Sequence, residues 1–165
     1  MVLAGAKVRA SDISRVQSKS KAATESVTSS TTLQDDDDLF FDMEVGKSYR
    51  VELHMAVSGA TGGDIKLAWT VGGTVTKTSR SCTGPQLGTT DVLATSMKSS
   101  RHGIASSIPY GTDGTNESHI YEAVTIEDVT VAGTLQLQWA QNASSGTATT
   151  ANTTSRIEWQ EIDIS

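Results

Sequence analysis

From Leu39 onward apolar and polar residues alternate with period 2, the mark of strands that bury one face. Leu39, Phe41, Met43 and Val45 point one way; Phe40, Asp42 and Glu44 point the other. Gly46-Lys47 marks a tight turn, after which Tyr49, Val51, Leu53, Met55 and Val57 alternate with Arg50, Glu52 and His54. The two runs predict a hairpin. Gly59 to Gly63 breaks the pattern. It resumes with Ile65, Leu67, Trp69 and Val71, and Gly72-Gly73 is a two-residue hairpin signal leading into Val75 to Arg80. Ile120 to Val131 is again periodic, with Val124 and Ile126 in one phase and Val129 and Val131 in the other. That change near Glu127-Asp128 predicts a bulge or turn. Leu135, Leu137 and Trp139 form the next run. The last carries Ile157 and Trp159, then Ile162 and Ile164, with a second phase change near Gln160-Glu161.

Outside these runs the chain is polar. Residues 1–30 hold little apolar content and too little surface to fold alone. Ala10 to Gln17 suggests one helical turn, with Ser11 or Asp12 as cap and Ile13 and Val16 at i, i+3. The segment is expected to be an extended arm that orders on a partner. Ser81 to Ser118 holds Pro85, Pro109 and Asp113-Gly114 and is too long for a structureless loop. Short strands are expected there, around Asp91 to Met97 and His102 to Ile108. Asn142 to Thr154 reads as a low-complexity loop. About seven to nine antiparallel strands result, which predicts an all-β antiparallel sandwich of jelly-roll type over residues 31–165, preceded by the arm of residues 1–30. Single-face alternation argues against a parallel sheet.

Composition supports the all-β reading. Ser and Thr make up about a quarter of the chain, with 14 Gly and 2 Pro. Thirteen Lys+Arg against 19 Asp+Glu give a net charge of −6, and an acidic chain without a basic stripe is a poor binder of nucleic acid or anionic membrane. No apolar run is long enough for a transmembrane helix or a signal peptide, so a protein made in the cytoplasm, or exported by something other than a cleaved signal, is expected. One cysteine, Cys82, excludes an intrachain disulfide and a cysteine zinc cluster. Aromatic residues are 5% of the chain, a lean supply for a core. Burial between subunits, as in a homotrimer, would supplement it.

Few residues suggest chemistry. Asp35 to Asp38 offers four carboxylates to a cation, but lacks the alternating spacing of a calcium loop. Consecutive side chains on a strand face opposite ways, so a solvated stretch that discourages edge pairing is the simpler reading. His54, His102 and His119 lack metal-ligand spacing in the sequence, and His54 sits on the polar phase of its strand. Catalytic motifs around serine and phosphate-binding glycine loops are absent. Asn116, Asn142 and Asn152 begin glycosylation triplets that so Ser/Thr-rich a chain produces by chance. Trp69, Trp139 and Trp159 lie in apolar phases and are expected in the core. Tyr110 and Tyr121 are the aromatics better placed to stack on sugar. No catalytic, metal or cofactor residue is assigned.

One resemblance does arise. Thr31 to Leu39 (TTLQDDDDL), Met43 to Leu53 (MEVGKSYRVEL), Gly63 to Lys66 and Ser155 to Ile162 (SRIEWQEI) resemble a group of small tailed-bacteriophage structural proteins, and Ala4 to Ile13 resembles their N-terminal attachment segment. Ser81 to Ser118 lies outside the resemblance. It implies a non-enzymatic protein of the virion exterior, a trimeric capsid decoration protein assembled in the host cytoplasm. Residues 1–30 would dock on a major capsid or tail protein. The alternative is a tail-fibre or tail-tip accessory protein whose loops bind a receptor or host-surface glycan. A free carbohydrate-binding module and a glycan-cleaving enzyme are the readings from other classes. The enzyme would need paired carboxylates brought together from distant strands.

Overall fold

A computed structural model describes residues 15–88 and 97–163. Every described element is a strand, and every pairing is antiparallel. In chain order they are β1 (Gln17–Ser20), β2 (Glu25–Val27), β3 (Gln34–Met43), β4 (Ser48–Ser58), β5 (Ile65–Val71) and β6 (Thr74–Pro85). Then follow β7 (Met97–His102), β8 (Ile108–Tyr110), β9 (Ser118–Val131), β10 (Gly133–Ala140), β11 (Thr149–Ala151) and β12 (Arg156–Ile162). Sheet A runs β1-β12-β4-β9-β6-β7, with β11 bridging β4 to β2. Sheet B runs β3-β10-β5-β8. The expected all-β two-sheet architecture is present.

The core is the sum of the period-2 faces. Val51, Leu53, Met55 and Val57 of β4 and Ile120, Val124 and Ile126 of β9 meet Leu67 and Trp69 of β5 and Leu135, Leu137 and Trp139 of β10, all buried. Trp159 is only half-buried; its ring stacks on Phe41 at 4.8 Å and closes the β12/β3 side. The phase change expected near Glu127-Asp128 is real. Asp128 takes φ 49°, so Ile126 and Val129 both reach the core while Val131 turns outward. The one expected near Gln160-Glu161 is not. β12 stays in register with β4 to Ile162, opposite Ser48, and Ile164 lies outside the described residues.

Some boundaries differ from the sequence expectation. β6 extends past Arg80 to Pro85, because its inner face alternates Arg80, Cys82 and Gly84 rather than bulky apolar residues. In the irregular stretch the strands are Met97–His102 and Ile108–Tyr110, not His102 to Ile108. The expected strand at Asp91 to Met97 lies almost entirely outside the described residues. Asn142 to Thr154 contains β11. Gly72 and Gly73 do not take the left-handed conformation of a type I′ turn. Gly73 is needed for a close approach instead: a Cβ there would lie 2.1 Å from the carbonyl oxygen of Val131.

The segment read as an arm is partly built into the sandwich. β1 pairs with β12 and β2 pairs with β11. The suggested helical turn lies mostly outside the described residues, and its last residue, Gln17, opens β1. Between β1 and β2, Lys21 is buried and its Nζ donates to Asp36 at 2.9 Å and Glu25 at 3.0 Å. Burial alone would lower the Lys21 ammonium, but the two carboxylates outweigh it and hold the pKa above the ordinary lysine value.

That contact explains Asp35 to Asp38. On β10 the register moves from Gln136 to Gln138 while on β3 it moves from Phe40 to Asp35, so the aspartates bulge out of the ladder. Asp36 turns inward to Lys21, and its Oδ1 accepts the amides of Asp38 and Leu39. Asp38 accepts the amide of Ala22, and Glu25 that of Asp37. The run therefore caps the amides of an edge strand and roots residues 21–25. The stretch is neither simply solvated nor arranged as a cation cage.

Candidate functional site

Period 2 puts the other half of each strand on the outer face of sheet A. Register then decides which side chains meet. Across β12-β4-β9 three rows form: Gln160–Arg50–Thr125, Glu158–Glu52–Ala123, and Arg156–His54–Tyr121. Glu52 and Glu158 are thus directly opposite one another. Arg50 reaches Glu52 at 2.5 Å and Arg156 reaches Glu158 at 2.8 Å. The His54 ring meets Tyr121 edge-on at 5.2 Å. Burial, and then the Glu52 charge, raises the Tyr121 phenol. Beside this group lies a cleft of about 160 Å³ lined by Val16, Arg50, Glu52, Glu158, Trp159 and Gln160. This is a polar face with donors, acceptors and both charges in fixed places. It suits recognition of a polar partner or an ion.

A second polar group is enclosed between the sheets. Glu122 of β9 accepts from four donors: Arg80 Nε at 2.9 Å, Arg80 Nη2 at 2.6 Å, Tyr110 Oη at 2.7 Å and Trp69 Nε1 at 2.7 Å. Arg80 also donates to the carbonyls of Leu67, Ile104 and Ser106. Burial, then the Glu122 charge, pushes the Tyr110 phenol well up. Every donor is matched, and the carboxylate is fully enclosed. The arrangement bolts sheet A to sheet B and pins the β7–β8 loop.

A third group sits where the β4–β5, β8–β9 and β10–β11 loops converge. Asp64 is buried, and its Oδ1 accepts the Thr112 amide at 2.9 Å. Burial raises its carboxyl above the ordinary 3.8, against the pull of the Thr112 bonds. The native state therefore holds this proton more tightly than the unfolded chain. The contribution favours folding below the ordinary pKa and is lost as pH rises through the native one. Asp64→Asn is expected to remove that slope and leave stability at pH 7 equal or slightly higher. The amide oxygen still accepts from Thr112, and Asn tolerates the φ of 48°. Urea unfolding at pH 4 and pH 7 checks this; a loss above about 1 kcal/mol at pH 7 would contradict it.

The residues singled out in the sequence divide accordingly. Tyr110, considered for sugar stacking, is fully buried and bonded to Glu122, so it presents no surface. Tyr121 does face outward, beside His54. His102, on β7, pairs with Ser100, away from His54, whereas exposed His119 pairs with Glu117 and lies two residues from Tyr121 on β9, a diagonal neighbour of His54 in the register. Cys82 is a buried free thiol, raised by burial and by the Glu122 charge. Asn116 is exposed in the Asp113 turn, and Asn152 bonds Ser58 and Glu117. The Glu52–Glu158 pair and the Glu122 network were not singled out. Glu122 had a signal: it shares the phase of Ile120, Val124 and Ile126. Compared with family models, curated proteins and solved structures, the chain matches none.

Proposed function

We propose that the chain is a non-enzymatic structural protein of a bacteriophage virion, carried on the particle exterior as a trimeric capsid decoration protein. The observation that carries this is the nesting of the strand pairs. β6 pairs β7, β5 pairs β8, β4 pairs β9 and β3 pairs β10, as if one long hairpin had been rolled up. The resulting orders β3-β10-β5-β8 and β4-β9-β6-β7 support a jelly roll, an architecture of viral capsid and lectin domains. The resemblance of the N-terminal and outer-strand residues to phage structural proteins points the same way.

A tether must be rooted in the domain it holds. Lys21, Asp36 and Glu25 supply that root, and β1 puts it at the edge of sheet A. Residues 1–14 are then the docking segment, and removing them leaves every strand pair among the described residues intact. Protein lacking residues 1–14 should keep its melting temperature and lose occupancy on particles assembled without the wild-type chain. Full occupancy by the truncated protein would overturn the anchoring role.

A second reading has one observation in its favour. Tyr121 lies on a polar outer face, and jelly rolls also serve as lectins. In a tail-tip accessory protein this face would meet a host glycan. Saturable binding on a glycan array, lost in Tyr121→Ala, would favour that reading.

A further inference from the structure

We infer that Glu52, His54 and Glu158 form a site for a transition-metal dication of the zinc class on the outer face of sheet A. One ligand atom from each lies within 4.8 Å of the others. Glu52 and His54 are two residues apart on β4 and share its outer face, and Glu158 is the direct cross-strand partner of Glu52. Backbone register therefore fixes all three Cβ positions before any ion arrives.

Three observations distinguish this group from ordinary surface charge. The donor set is mixed: two carboxylates and one imidazole. Like charges directly opposite on a sheet repel, and a dication between them would turn that repulsion into attraction. The imidazole is half-buried against Tyr121, and among the described residues no protein group hydrogen-bonds its ring nitrogens. A nitrogen lone pair is thus available between the carboxylates. The adjoining cleft, which shares Glu52 and Glu158, gives an ion and its waters access.

The chemistry selects the ion. Calcium takes six to eight oxygen ligands, and magnesium keeps its waters; neither is served by two carboxylates and an imidazole. Zinc accepts nitrogen and oxygen at about 2.0–2.2 Å, with water completing four-coordination. At those bond lengths ligand atoms lie about 3.4 Å apart, so from a spread of at most 4.8 Å the side chains close by no more than about 1.4 Å on binding. Two carboxylates neutralise the dication. The competitors are the Tyr121 phenol, which bonds Glu52, and Arg50 and Arg156, whose side chains are 60% and 42% exposed. Exposed ion pairs of this kind are weak, and either arginine can turn to solvent as the ion enters.

The test is titration of the full chain with ZnCl₂ by calorimetry, with CaCl₂ and MgCl₂ as controls, and CoCl₂ followed by visible absorption. One zinc per chain should bind saturably, with a cobalt spectrum of low coordination number and no saturable calcium or magnesium binding. His54→Ala and Glu158→Gln should each weaken zinc at least about tenfold, since lost second-shell partners alone cost 10–100-fold. Arg50→Ala should tighten it about two- to fivefold by removing a competitor. Absence of saturable zinc binding would overturn the site. So would equal affinity in wild type and His54→Ala, which would place the ion at His102 or His119. Weaker binding in Arg50→Ala would overturn the displacement of the arginine.

Discussion

Glu122→Ala is expected to cost about 3–5 kcal/mol and lower the melting temperature by about 10 °C or more. The carboxylate is fully enclosed, and four donors converge on it from Arg80, Tyr110 and Trp69. Removing it strands a guanidinium, a phenol and an indole N–H away from water. Glu122→Gln should be nearly as damaging. It keeps the shape but turns one acceptor into a donor, facing donors, and removes the charge that balances Arg80. Replacing the group as a whole should be far milder, because a buried ion pair offers little net stability over well-packed apolar residues. Arg80→Met with Glu122→Leu and Tyr110→Phe should recover most of the loss. Thermal and urea unfolding of the three proteins decides it. A Glu122→Gln loss under about 1 kcal/mol would mean that the network does not join the sheets as described.

Lys21→Ala is expected to release the N-terminal strands without unfolding the sandwich. The lysine is the only cation facing Asp36 among the described residues, and both side chains are fully buried. Breaking such a pair costs about 3 kcal/mol here, toward the low end because Asp36 keeps its bonds to the amides of Asp38 and Leu39. β1 and β2 pair only at the margin of sheet A, so the loss should fall on them. Hydrogen exchange should speed up about 100-fold at the amides of residues 17–27 and little in β4 and β9. Equal acceleration in β4 and β9 would show that the root belongs to the global folding unit. If the proposed tether holds, the same variant should also lower occupancy on particles, linking the buried pair to that role.

The fold was legible where burial follows strand period. β4, β5 and β10 emerge from alternation alone, because each buries one face and exposes the other. Strands that break this rule were harder. β6 presents Arg80, Cys82 and Gly84 to the interior, so its inner face carries no hydrophobic signal. β1, β2 and β11 are too short for any period and exist through their pairing. Asp35 to Asp38 could be read as a charge run, but not as a bulge, since that depends on the β10 register and on Lys21. The outer-face site was half legible. Arg50, Glu52 and His54 were placed on the polar face of β4, whereas Glu158 joins them only because β12 lies beside β4, a matter of topology. Tyr110 misled because β8 is only three residues long and lies in an otherwise irregular stretch; its burial shows only once β8 pairs β5 and its hydroxyl meets Glu122 across the two sheets.

The most direct test of the proposed function is cryo-electron microscopy of virus particles purified from the source of the chain. The account predicts three-fold clusters of a two-sheet domain repeated over the capsid lattice, each with the β1 edge toward the shell. Density confined to the tail would contradict the decoration role in favour of the accessory one, and absence of the chain from purified particles would contradict the virion assignment itself.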